Sequence, residues 1–313
     1  MPQLSLFEDV TTTSRERQSV WLGVIKSALQ KHVRRGETAL ALQAAAEFIR
    51  LDRGGFLWRW PIIAAEDVLT GVKLLPQLRV NPLGVVAATT RFPKNKDAWG
   101  LSLVMKADPI LAGRDSWVDR AAFEKALTAG DAVLTARVAW WLWNSGRYRD
   151  DVIALLSRRP GVREVLQRAY RLNDDVQTRF MLAAATLCAL DQVAGDEQGV
   201  DELPRIDPSD ISPVGKTVCW YACDAHTAPG GIAIRTVAKQ ALIPVAQLAA
   251  TWFWLESATL GGAVAAHRYY TVDASLIDDG VDPKAARRGW LELRTDATRT
   301  VAWACSRYGI TAV

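Results

Sequence analysis

ALQKHVRRGETALALQAAAEFIRL, residues 28–51, decides the fold class of this chain. It reads as the end of one helix, a Gly36-Glu37 turn and an alanine-rich second helix over roughly 38–51. Arg34 and Arg35 fall in the last turn of the first helix and Gly36 just beyond it, where cations and a left-handed residue are favoured. Working outward, Trp21, Ile25, Ala28, Leu29 and His32 share one face at helical spacing, so His32 reads as a satisfied core or interface histidine. Thr13 and Glu16 form a T-x-x-E capping box, which predicts the helix start. A turn this short implies an antiparallel pair.

The same phrase returns at Ala122-Phe-Glu-Lys125 followed by Gly130-Asp131, with an identical Lys-to-Gly spacing. Two copies are too few for a solenoid but predict helical hairpins throughout. Strict alternation is rare and helix formers dominate, so the fold class expected is all-α, a helical-hairpin bundle. The organisation expected is a flexible tail over 1–13, a helical domain over 14–190, an acidic linker or loop over 191–212 and a C-terminal helical region over 213–313. The linker carries seven acids against one arginine, so the rest of a chain of net charge +4 is mildly basic.

Half of the residues are hydrophobic and 23% are charged, an ordinary globular composition with an unusual 13 tryptophans. Cys188, Cys219, Cys223 and Cys305 do not make a secreted disulfide framework in 313 residues. The longest apolar run, Ala241 to Leu255, contains Pro244 and Gln247 and is too short to span a bilayer. No leader of basic-then-apolar type opens the sequence, and a cytoplasmic location without membrane contact is expected.

Residues 28–68, with Arg59-Trp60-Pro61-Ile62-Ile63-Ala64-Ala65-Glu66-Asp67-Val68 at their end, resemble the region after the ATPase modules in replication-associated recombination proteins of the RarA/MgsA family, relatives of clamp loaders. The likeness covers about 40 residues. It implies a helical, oligomerising collar and transfers no catalytic residue. No complete phosphate loop accompanies it. The nearest approach, Asp210-Ile-Ser-Pro-Val-Gly215-Lys216-Thr217, lacks the first glycine and reads as a helix start near Pro213.

Gln3-Leu4-Ser5-Leu6-Phe7 resembles, at every position, the QL[SD]LF pentapeptide by which bacterial replication and repair proteins dock on the DNA polymerase sliding clamp. The resemblance implies that Leu6 and Phe7 fill an apolar pocket, Leu4 packs at its edge and Gln3 hydrogen-bonds at its mouth. The plainer alternative is that the three apolar residues tuck onto the protein's own core.

Arg91, Lys94, Lys96 and Trp99 make a basic loop with aromatics interleaved, a pattern suited to single-stranded DNA. Cys219, Cys223 and His226 have a C-x3-C-x2-H spacing that on a helix would bring the two cysteines to one face, yet zinc needs a fourth ligand. No metal or other cofactor is expected. Asp224 and His226 are the most enzyme-like fragment, with His267 a distant candidate partner, against the simpler reading of a helix-capping turn. Glu66 and Asp67 read either as a paired acid site or as one ionic site between helices. The function expected is a non-enzymatic replication or repair accessory protein, docked on the clamp by its tail. Its helical body would bind DNA or other replication proteins, or form homo-oligomers. The alternatives are a clamp-recruited, metal-dependent or nuclease-like enzyme using Asp224 and His226, and a mobile-element competitor for the clamp.

Overall fold

The computed structural model describes residues 13–106, 120–146, 148–172, 174–193, 203–213, 215–261 and 267–313. Thr13 Oγ1 accepts from the Glu16 amide at 3.2 Å and starts α1 (Ser14–Arg35), as its capping box predicts. Gly36 ends that helix at φ 71°, a left-handed value that glycine adopts without the Cβ penalty other residues bear. α2 (Thr38–Asp67) follows at once. It is broken at Asp52, whose φ of −158° and ψ of 79° are not helical. The expected end near residue 51 is therefore a real break, and Asp52 Oδ1 caps the next segment by accepting from the Gly55 amide at 2.7 Å.

The break reverses the chain. Trp21 Nε1 donates to Glu47 before it, while Gln30 and Arg34 reach Glu66 and Asp67 after it. The second half of α2 thus returns along α1 toward the Gly36 end. A 3-10 segment, Leu69–Gln77, leads to α3 (Pro82–Thr89) and α4 (Asp97–Lys106). The second hairpin forms as the repeated phrase predicts: α5 (Arg120–Ala129), Gly130 at φ 70°, then α6 (Ala132–Asn144) with Asp131 accepting from the Leu134 amide. α7 (Arg149–Leu156), α8 (Val162–Arg171) and α9 (Asp175–Ala189) complete this half. The Trp140-Trp141-Leu142-Trp143 run is mostly interior, with Leu142 and Trp143 buried and the other two rings packed on the core.

The chain beyond residue 203 carries α10 (Ala228–Ala241), α11 (Val245–Trp252), a π-turn over Phe253–Ser257, α12 (Val272–Asp278) and α13 (Pro283–Ser306). The fold is all-α, with two two-residue strands, β1 (Thr217–Val218) and β2 (Thr311–Ala312), paired in parallel among the described residues. Of the acidic stretch 191–212, residues 194–202 lie outside the described part, and Pro204 accepts from Asn81 Nδ2 at 3.1 Å. One hydrophobic core runs from α1 and α2 through Phe180 of α9 to Val301 and Cys305 of α13.

Two local expectations are corrected. Pro213 begins no helix; an irregular stretch leads into β1. Cys219 and Cys223 flank a single 3-10 turn, Trp220–Ala222, so they do not share an α-helical face. Cys223 Sγ instead lies 3.7 Å from Cys305 Sγ in the core, both thiols free.

Candidate functional site

The C-terminal half of α1 and the end of α2 carry a closed set of buried ions. Arg34 donates from Nε to Asp67 Oδ1 at 2.7 Å, from Nη2 to Glu66 Oε1 at 2.6 Å and from Nη1 to the Ser257 carbonyl at 2.8 Å. Lys96 lies 3.2 Å from Glu66 and 3.1 Å from Asp67, with no side-chain surface exposed. Gln30 Nε2 donates to both carboxylates, and its Oε1 accepts from Arg59. Two cations and two anions balance, which is how buried charge is tolerated. Burial pushes the Glu66 carboxyl up, but Lys96 and Arg34 outweigh it and hold the group well below the carboxylate range. Glu66 and Asp67 are thus an ionic site between helices, the second of the two readings their sequence leaves open.

One turn earlier on α1, Lys31 Nζ contacts Asp224 Oδ2 at 2.7 Å and donates to the Ala222 carbonyl. Burial opposes ionisation of Asp224, and Lys31 together with His226 overcomes it, so its carboxyl also stays well below its ordinary value. Asp224 Oδ1 accepts from the His226 amide at 2.9 Å and lies 3.1 Å from its Nδ1. Thr227 then caps α10 by accepting from the Gly230 amide. The Asp-x-His fragment is a capping turn tied to α1, with the imidazole 70% exposed at its edge. His267 belongs elsewhere: its Nδ1 faces Asp97 at 3.8 Å, and it lines a different cavity. Among the described residues no group of three His, Cys, Asp or Glu side chains is placed to hold a metal ion.

For the loop expected to meet DNA, the two lysines are corrected: both are buried and their charges are used inside the protein. Lys94 is buried and donates to the Thr90 and Phe92 carbonyls at 2.7 and 2.6 Å. Lys96 is the buried cation just described. Trp99 packs between Phe180 and Trp254, with centroids 5.9 and 5.5 Å away. Arg91 alone of the four stays exposed. In sequence the run looks solvated because its partners, Glu66 and Asp67, lie thirty residues upstream. His32 meets its expectation: Nδ1 pairs with Glu37 at 2.6 Å, and Tyr221 donates to the same carboxylate.

Above the ionic floor opens a cleft of about 820 Å³. α1, the second half of α2, α4, α9, the 224–226 turn and α11 with its π-turn all contribute to it. Its walls include Ile62, Trp99, Phe180, Phe253 and Trp254, and its floor Gln30, Lys31, Arg34, Glu66 and Asp224. Of the floor residues, the sequence pattern singles out Glu66 and Asp224 as candidates and Arg34 as a helix-end charge. Gln30 and Lys31 are not singled out, and that the five meet is visible only in the fold. The signal that could have found them is the i, i+4 spacing of Gln30 and Arg34 with Lys31 beside them, which puts three polar residues near one side of the helix end.

No protein-family model, curated protein or solved structure matches the chain. No helix among the described residues is long and apolar enough to cross a membrane. The pentapeptide Gln3–Phe7 lies outside the described residues.

Proposed function

We propose that this chain is an accessory protein of DNA replication or repair, recruited to the sliding clamp by Gln3-Leu4-Ser5-Leu6-Phe7, with no chemistry of its own required. The observation that carries this reading is the pentapeptide, which agrees with the clamp-docking pattern at all five positions. The likeness of residues 28–68 to a clamp-loader-type collar points the same way. Within that segment Arg34, Glu66 and Asp67 cement the first helical hairpin, a scaffold role in keeping with a body that self-associates or presents a surface to DNA or another replication protein. Tethering by the tail would raise the local concentration of that body at the fork without any new contact. Clamp pull-down with the Leu6→Ala, Phe7→Ala double variant tests the reading. Retention of the clamp is expected to disappear while the helical circular dichroism stays unchanged, and undiminished retention would refute it.

One observation favours a second reading, a clamp-recruited enzyme: the Asp224–His226 contact stands at the edge of the cleft, with the imidazole open to solvent. A nuclease assay with and without added divalent metal, comparing the intact chain with His226→Ala, separates the two. Activity lost in that variant would favour the enzyme.

A further inference from the structure

We propose that the cleft above the buried ions binds a planar nitrogen heterocycle of the nucleobase class, either as a free nucleoside or as one unpaired base of a single strand. The inference concerns the helical body alone and does not depend on docking to the clamp. About 820 Å³ is the size of site that encloses a small ligand. Trp99, Phe180, Phe253 and Trp254 line it; Phe180 and Trp254 are buried, and the partly exposed rings of Trp99 and Phe253 are the ones that can meet a flat ring.

Charge narrows the class. Lys31 and Arg34 are spent on Asp224, Glu66 and Asp67. The remaining cations of the lining, Lys26 and Arg59, contact Asp52 and Gln30, and two further carboxylates of the lining, Asp174 and Asp279, offset their charge in number. Such a balanced lining does not attract a polyphosphate or a duplex backbone, but supplies both donors and acceptors to the edge of a neutral heterocycle.

Tryptophan fluorescence and titration calorimetry on the full chain test this, with the four nucleosides, a mixed-sequence single-stranded oligonucleotide and the corresponding duplex as probes. Saturable binding of a nucleoside or of the single strand, and not of the duplex, is expected. It should change little between roughly 50 and 200 mM salt, because no phosphate contacts drive it. Nucleoside binding would identify a free ligand, and binding of the strand alone an unpaired base. Trp99→Ala should weaken binding about tenfold or more, as loss of a stacking ring does. Ala246→Trp, placed at an exposed position of the lining and checked by circular dichroism, should block the cleft while leaving the fold intact. Leu6→Ala with Phe7→Ala should bind the probes normally. No saturable binding of any probe, or binding unchanged in Ala246→Trp, would overturn the inference.

Discussion

Lys96 sits wholly inside the protein between two carboxylates, and its ammonium has no water to fall back on. Replacing it by methionine keeps much of the volume and removes the charge, leaving Arg34 as the one cation still in direct contact with both Glu66 and Asp67 among the described residues. Breaking a buried ion set in this way costs about 3–5 kcal/mol. Urea denaturation of Lys96→Met is expected to show a loss of that size with an unchanged slope. Acid should act on the same residues. Glu66 and Asp224 have carboxyl pKa values depressed in the folded state, so the unfolded chain binds more protons as pH falls below their ordinary values near 4. Their stabilisation is complete at neutral pH and is lost progressively on acidification from that point downward. Melting temperature should therefore fall steeply below about pH 4.5, and Glu66→Gln should flatten that limb while starting from a lower plateau.

Helix α4 holds both Lys96's segment and Trp99 in place because its backbone approaches another segment closely. A Cβ at Gly100 would stand 2.3 Å from the carbonyl of Tyr269. Asp97 fastens the same segment by accepting from the amides of Arg268, Tyr269 and Tyr270. Alanine at position 100 gains helix propensity but must push these elements apart. Gly100→Ala is expected to cost about 1–3 kcal/mol in thermal or urea unfolding, as overpacking does. Local elements were the legible part of the sequence. Thr13 with Glu16, Gly36 and Gly130 with Asp131 each carry their capping chemistry within four residues, so the helix starts and turns they predict are present. The buried lysines were not legible, because what neutralises Lys96 depends on the bend at Asp52 that returns α2 along α1. Pro213 and the two cysteines misled for a related reason: the backbone there is drawn into pairing with residues 311–313, which no local pattern announces.

Across the whole molecule, α1 is the common strut. One face enters the core, the Gly36 end meets α2, and the polar residues between them anchor the 222–224 turn and the π-turn of the C-terminal half. The cleft lies where these parts converge, so its shape depends on the ionic floor as much as on its aromatic walls. The proposed recruitment rests on five other residues, Gln3–Phe7, which lie outside the described residues. The direct measurement is calorimetric titration of the full chain into a bacterial sliding clamp, alone and with a synthetic peptide of residues 1–12 as competitor. The account predicts saturable binding that the peptide displaces and that Leu6→Ala with Phe7→Ala abolishes. Undetectable binding of the intact chain, or binding that neither the competitor nor the double variant disturbs, would contradict it.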